Sequence, residues 1–173
     1  MIARFLDQTS RGRDTDANDT PLAKRVAHYI DSTGARTGKV GIEVRLYNAT
    51  GGALTKNAVY MLNYSGNPAT SPQVIACATS TPTRFLVVAK EAVATATWGW
   101  FCVAGWTDAL VEGTTDVAVG DFLKLTSGTT ATAFIKDGTT ITTSSHAIAG
   151  AASTANSENT TLIELFGEKA LVA

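Results

Sequence analysis

From Lys39 onward the chain is a succession of short runs rich in Val, Ile, Leu, Phe and Tyr, separated at close intervals by clusters of Gly, Pro, Asn and Ser. That rhythm limits the fold more than any other feature. The runs are too short and too closely punctuated for helical periodicity, so they read as strands of a sandwich or barrel. Strands are predicted at 41–48, 58–64, 74–79, 84–89, 97–104, 108–111, 122–126, 131–136, 145–150 and 161–166. In Ile42-Glu43-Val44-Arg45-Leu46-Tyr47 apolar and polar residues alternate strictly, which predicts one buried face and one wet face. Asp137-Gly138, between Phe134-Ile135-Lys136 and Ile141, predicts a tight hairpin turn, because glycine tolerates the positive φ such turns need. The Ala-rich stretches 92–96 and 147–155 have helical propensity, but embedded Thr, Ser and Gly argue against helices there.

An internal echo runs through this region. Leu54-Thr55-Lys56-Asn57-Ala58-Val59-Tyr60-Met61-Leu62 and Val117-Ala118-Val119-Gly120-Asp121-Phe122-Leu123-Lys124-Leu125 both pass from an apolar lead-in through a turn-forming Asn or Gly-Asp into an alternating strand. Two superposable hairpin units would explain it.

The first 38 residues are different in kind. Arg11-Gly12-Arg13-Asp14-Thr15-Asp16 cannot form a buried face, so this part cannot make a core of its own. Within it Thr20-Pro21-Leu22 reads as an N-cap followed by proline at the first helical position. Leu22, Val26, Tyr29 and Ile30 then share one helical face, and Gly34 offers a stop. The expected fold is therefore mainly β: a compact antiparallel β-barrel or β-sandwich at 39–173, with an N-terminal extended arm at 1–38 containing one short helix. That helix would dock either on the chain's own body or on a neighbouring subunit.

The 173 residues suffice to bury a core without disulfides or metals. Apolar residues make up 45% and charged residues only 17%, which leaves the surface to Thr, Ser, Asn and Gly. The formal net charge of −1 provides no single-signed field for nucleic acid or an acidic membrane, so neither is an expected partner. Residues 1–39 nonetheless hold seven of the 14 Lys/Arg against five Asp/Glu, so the arm is the more basic part. Met1-Ile2-Ala3-Arg4-Phe5-Leu6-Asp7 lacks the continuous apolar stretch of a secretory signal, and no run is long enough to span a bilayer, so a cytosolic site of synthesis is expected. In that setting the Asn-x-Ser/Thr matches at Asn18, Asn48, Asn63 and Asn159 are chance products of a Thr-rich chain.

The sequence contains no recognisable catalytic or metal-binding constellation. The only histidines, His28 and His146, sit in no catalytic motif, and Cys77 and Cys102 each lie in an apolar run, as buried thiols do. Two isolated Cys and two isolated His do not make a zinc site, so no metal, cofactor or catalytic residue is assigned. Asp108, Glu112, Asp116 and Asp121 match no calcium loop and read as solvated turn residues. An enzyme acting on polysaccharide would have only that acidic group to use. Gly34-Ala35-Arg36-Thr37-Gly38-Lys39 lacks the phosphate-loop spacing and reads as a linker. The most distinctive segment is Trp98-Gly99-Trp100-Phe101-Cys102-Val103-Ala104-Gly105-Trp106, which holds all three tryptophans. In a strand Trp98, Trp100, Cys102 and Ala104 share one face and Gly99, Phe101 and Val103 the other, so both faces look buried. Core packing, a subunit interface through Trp98, Trp100 and Trp106, or a sugar platform all remain open.

That segment, followed by Val111-Glu112-Gly113-Thr114-Thr115-Asp116-Val117-Ala118-Val119-Gly120-Asp121-Phe122-Leu123-Lys124, resembles the capsid decoration (cement) proteins of tailed bacteriophages. Those proteins show a G-W/F-x-x-V-x-G strand, a short connection, then V-x-x-G-D-x-L. Ala147-Ile148-Ala149-Gly150-Ala151 and Thr161-Leu162-Ile163-Glu164-Leu165-Phe166 look like their closing pair of strands. The likeness covers about residues 97–167 and leaves out the arm and the first strands. It implies a non-enzymatic virion protein on the outer capsid surface, assembled in the host cytoplasm. It also implies a homotrimer near local threefold positions that binds the major capsid protein and bridges capsomers. The arm is then the candidate for reaching a neighbour, with Phe5, Leu6, Leu22, Val26 and Ile30 as apolar anchors and Arg4, Arg11, Arg13 and Arg25 facing acidic shell surface. The competing reading is a receptor- or glycan-binding domain of a phage head or tail fibre, using exposed aromatics and Thr/Asn-rich loops.

Overall fold

The computed structural model describes residues 24–30, 36–63, 72–77, 85–112, 115–126, 132–154 and 159–166. Among them the chain is mainly β, with ten strands in one mixed sheet: β1 (Lys24–Ile30), β2 (Arg36–Asn48), β3 (Val59–Asn63), β4 (Gln73–Ile75), β5 (Leu86–Ala89), β6 (Trp98–Val111), β7 (Phe122–Leu125), β8 (Phe134–Gly138), β9 (Ala147–Ala149) and β10 (Asn159–Leu165). The sheet is not purely antiparallel, because β2 pairs with β4 and β6 pairs with β8 in parallel. The predicted strands at 97–104 and 108–111 are one continuous strand of 14 residues, β6.

The pairings close into two rings that share β6. One runs β2–β4–β3–β5–β6 and back to β2, the other β6–β8–β7–β9–β10 and back to β6. The rings are built alike. Asn48 pairs with Val74 as Val111 pairs with Phe134, both in parallel. Tyr60 pairs with Val87 as Leu123 pairs with Ala147. The bridge Leu54–Val93 recurs as Val117–Ser153. Turn hydrogen bonds repeat too: the Asn57 N–H donates to the Ala89 carbonyl at 2.7 Å, and the Gly120 N–H to the Ala149 carbonyl at 2.8 Å. The internal echo is thus the visible part of a repeat larger than a hairpin.

Each turn into β3 and β7 needs one residue in the left-handed region, supplied by Asn57 (φ 65°) and Gly120 (φ 91°). Both residue types accept it at low cost. Ala96, just before β6, adopts φ 57° without that tolerance.

Side chains pointing into the first ring form one core of Leu46, Tyr60, Val74, Val87, Ala89 and Phe101, capped by Leu54 and Val93. Their counterparts Ala109, Leu123, Phe134, Ala147, Ala149 and Ile163 fill the second ring, capped by Val117. The second core continues over the outer face of the first ring through Val59, Val88 and Cys102, so the rings share apolar packing as well as a strand. The register of β2 on β6 shifts between Ile42 and Glu43, where Val103 of β6 is the extra residue; before that bulge ordinary alternation sends the adjacent Phe101 and Cys102 into different cores. The alternation predicted for 98–104 holds as far as Val103, which packs with Phe101 against the first core while Cys102 faces the other.

Where β6 passes from one ring to the next, Gly105 pairs with Gly41 of β2 and Leu165 of β10. Its φ is +80°, and a Cβ there would lie 2.5 Å from the Val40 carbonyl oxygen. A Cβ on Gly41 would overlap the Trp106 carbonyl oxygen. The crossing requires bare backbone on both strands.

Two further local predictions depart from the fold. Lys24–Ile30, placed in a short helix by its apolar spacing, is strand β1 and pairs antiparallel with β2, Arg25 opposite Glu43 and Val26 opposite Ile42. A ladder on an existing strand overrides weak helical propensity, and Val and Ile suit a pleated surface. Leu22 and the rest of the proposed helix lie outside the described residues. The hairpin at Asp137-Gly138 is also absent. Those residues end β8, Ile141 is exposed outside any strand, and the following strand β9 pairs with β7 and β10 instead.

Substituting the crossing glycine, Gly105→Ala, should lower unfolding free energy by about 3 kcal/mol or more through overlap and backbone strain. Gly52→Ala, with open space around its Cβ, should stay within about 0.5 kcal/mol; urea denaturation of both variants checks this. Ala96→Gly should stabilise by about 0.5–1 kcal/mol by relieving its left-handed backbone.

Candidate interaction surface

The residues singled out in the sequence meet on the outer face of β1, β2 and the first half of β6. Cross-strand pairing puts Tyr47 beside Trp98, Arg45 beside Trp100, and Arg25 beside Glu43. The predicted wet face of β2 is not wet: Glu43 is buried and Arg45 and Tyr47 are half-buried. β1 is the reason. It lays Arg25 across β2, where the guanidinium Nε donates to the Glu43 carboxylate at 2.5 Å and the guanidinium carbon sits 4.2 Å from the centre of the Trp100 ring. A carboxylate in that position needs the cation, since an unpaired buried charge is costly.

A second clamp works alike. The Lys39 ammonium lies 4.2 Å from the Trp106 ring centre, and a Cβ on Gly150 would overlap that ring. Trp106 is held between Gly150 below and Lys39 above. Trp98 meets Tyr47 edge-on, with ring centres 5.5 Å apart. None of the three tryptophans belongs to either apolar core; each is half-buried on an outer face. Of the arm residues named as anchors, Arg4, Phe5, Leu6, Arg11, Arg13 and Leu22 lie outside the described residues. Arg25, Val26 and Ile30 are on β1, where Val26 is 53% exposed; Ile30 stands opposite Arg36.

Buried polar groups serve the fold. Asn48, a nominal glycan acceptor, is buried; its amide nitrogen donates to the carbonyls of Gly52 and Ala94 at 2.8 and 3.0 Å, and its oxygen accepts from the Thr50 backbone N–H at 3.0 Å. It pins the loop after β2 to the approach to β6. Asp121, expected to be a solvated turn residue, is buried. Its carboxylate accepts the Ala118 N–H at 2.8 Å and pairs with Lys136 at 2.6 Å. Asp137 organises the connection after β8, accepting from Ser145 at 2.7 Å and from Thr142, and pairing with Lys124 at 3.2 Å.

The bond from Lys136, aided by the Ala118 N–H, holds the Asp121 carboxyl below its ordinary value. Burial alone would raise Asp137, but its bonds from Thr142, Ser145 and Lys124 outweigh that and hold it low as well. Cys77 and Cys102 are free buried thiols, as expected, and burial pushes them up to about 12 and about 11. Protonated thiols of this kind are poor nucleophiles. Among the described residues no group of three or more His, Cys, Asp or Glu is placed to hold a metal ion.

Sequence reasoning missed Glu43, Lys39 and Lys136, whose partners lie far away along the chain. Only the odd placement of Gly next to Trp, at Gly99 and Gly105, hinted at close approach. Neither a scan of protein-family models nor searches of curated proteins and solved structures found a match to this chain.

Both aspartates have folded values below their unfolded ones, so their stabilisation is complete above the ordinary carboxylate value of 3.8 and is lost as pH falls through the folded values. The thermal midpoint should therefore drop as pH falls below about 4, and less steeply in Asp121→Asn. Arg25→Ala, which leaves Glu43 without its cation, should destabilise by about 2 kcal/mol at neutral pH and speed amide exchange across β1.

Proposed function

We propose that the chain is a structural virion protein that binds the outer surface of an icosahedral phage shell and stabilises it by bridging capsomers. In this reading the two closed rings are small β-barrels, and the homotrimer at local threefold positions and the major capsid protein as partner belong to the same proposal. The observation that carries it is what the resembling residues do. Gly120 supplies the left-handed turn, Asp121 the buried ion pair with Lys136, and the expected closing strands 147–151 and 161–166 overlap β9 and β10, which pair antiparallel. The motif is framework, as a protein that works by its surface would need. Many weak contacts on a symmetric shell add up to durable attachment.

A receptor- or glycan-binding role is supported by one feature, the half-buried Trp98–Tyr47 pair on the outer face of β2 and β6. Co-sedimentation of the full chain with phage shells prepared without it separates the two. Saturation at a fixed ratio to the shell protein, with shells more resistant to heat, is the expected result. No binding to shells, together with glycan-array binding lost in Trp98→Ala, would replace the first reading by the second.

A further inference from the structure

Four cross-strand partners stand in one row on the outer face of the first ring. Trp98 of β6 pairs with Tyr47 of β2, Tyr47 with Gln73 of β4, and Gln73 with Asn63 of β3. Directly paired residues point to the same side of a sheet. Here that side is outward, because the neighbouring residues Leu46, Val74 and Leu62 pack in the first core. At about 4.8 Å between adjacent strands the row is about 14 Å long. All four side chains are half-buried and none is charged.

The repeat shows that the fold does not require them. In the second ring the equivalent ladder has Thr160 in the place of Trp98, Leu110 of Tyr47, Ala133 of Gln73 and Thr126 of Asn63. That row holds neither an aromatic ring nor an amide; Ala133 is buried, and Leu110 packs against the first core. Small and aliphatic side chains thus satisfy the same strand pairing, so two aromatics followed by two amides answer to something other than pairing. Their chemistry is that of sugar recognition. The π faces of an indole and a phenol are negative and attract the weakly positive C–H bonds on one side of a pyranose ring. A primary amide has two N–H donors and a carbonyl acceptor, which suits adjacent hydroxyls that both donate and accept. The edge-on contact of Trp98 with Tyr47 holds both rings in place before a ligand arrives.

We propose that this row binds an uncharged oligosaccharide laid across β6, β2, β4 and β3, its C–H faces on Trp98 and Tyr47 and its hydroxyls on Gln73 and Asn63. The site rests on the glycan-binding reading above and holds whether or not the chain also binds shells. The full chain is tested on an array of uncharged oligosaccharides, then by titration calorimetry with the sugar bound best. Binding should change little between about 0.05 and about 0.5 M salt. It should weaken about tenfold or more in Trp98→Ala and in Gln73→Ala with Asn63→Ala, each with the thermal midpoint checked. The amide variant leaves the aromatic pair intact and serves if Trp98→Ala misfolds. Ile141→Ala, at an exposed site on the second ring, should bind as the unaltered chain does. Absence of any bound sugar would overturn the site together with the glycan-binding reading. A sugar bound with unchanged affinity by the folded row variants would overturn the site and leave that reading standing. Loss of shell co-sedimentation in the same variants, without sugar binding, would assign the row to the shell protein instead.

Discussion

β6 belongs to two closed rings at once, and the rest of the molecule follows from how one strand can do that. Its first half hydrogen-bonds β2 and β5, its second half β10 and β8. A flat strand would offer the same alternating side chains along its whole length to one core. The bulge at Val103, opposite Ile42 and Glu43, interrupts the ladder just before the partners change; up to it Phe101 and Val103 face the first core, and beyond it Ala109 and Val111 face the second. At Gly105, where partners change, two backbones come closer than any side chain allows. Both local irregularities lie within the Trp-rich segment, which accounts for Gly105 among its large aromatics, while Gly99 makes room for the Val93 side chain.

With the rings closed, the remaining physical problem is at the ends. A repeat that buries its outer face against the next leaves unmatched surfaces at the first and last copies. At the second ring two outer positions become polar, Leu86 and Cys102 of the first ring corresponding to His146 and Glu164, while Val59 corresponds to Phe122. Phe122 and Phe166 there meet each other with ring centres 6.2 Å apart. At the first ring the opposite solution is used. β1 extends the sheet, Arg25 and Lys39 fasten it to Trp100 and Trp106, and valines remain outside. The tryptophans hold this ribbon by their faces, which reconciles their half-buried state with their absence from either core.

Much of this was legible in the chain. Strand positions followed from turn clusters, and the Asn57 and Gly120 turns could be aligned because left-handed residues are chemically distinctive. The failures share one cause, long-range pairing. Leu22, Val26, Tyr29 and Ile30 fit a helical stripe, but β2 offered β1 a ladder that local spacing does not encode. Asp137-Gly138 is a strong hairpin signal in isolation. Here Asp137 is taken by Lys124 from β7 and by Thr142 and Ser145, so the chain leaves β8 without folding back on it. Glu43 looked solvated because the cation that buries it lies on a different strand. Alternation and turn chemistry identify strands; they do not say which strand will lie beside which.

The account rests on β6 coupling two equivalent rings, and native-state amide hydrogen exchange on the full chain tests that coupling directly. If the shared strand couples them, amides of Phe101 and Cys102 and those of Ala109 and Val111 exchange among the slowest, with the same opening free energy in both halves of β6. Two distinct opening free energies, one for each half of β6 with its own ring, would show that the rings open independently and would contradict the account.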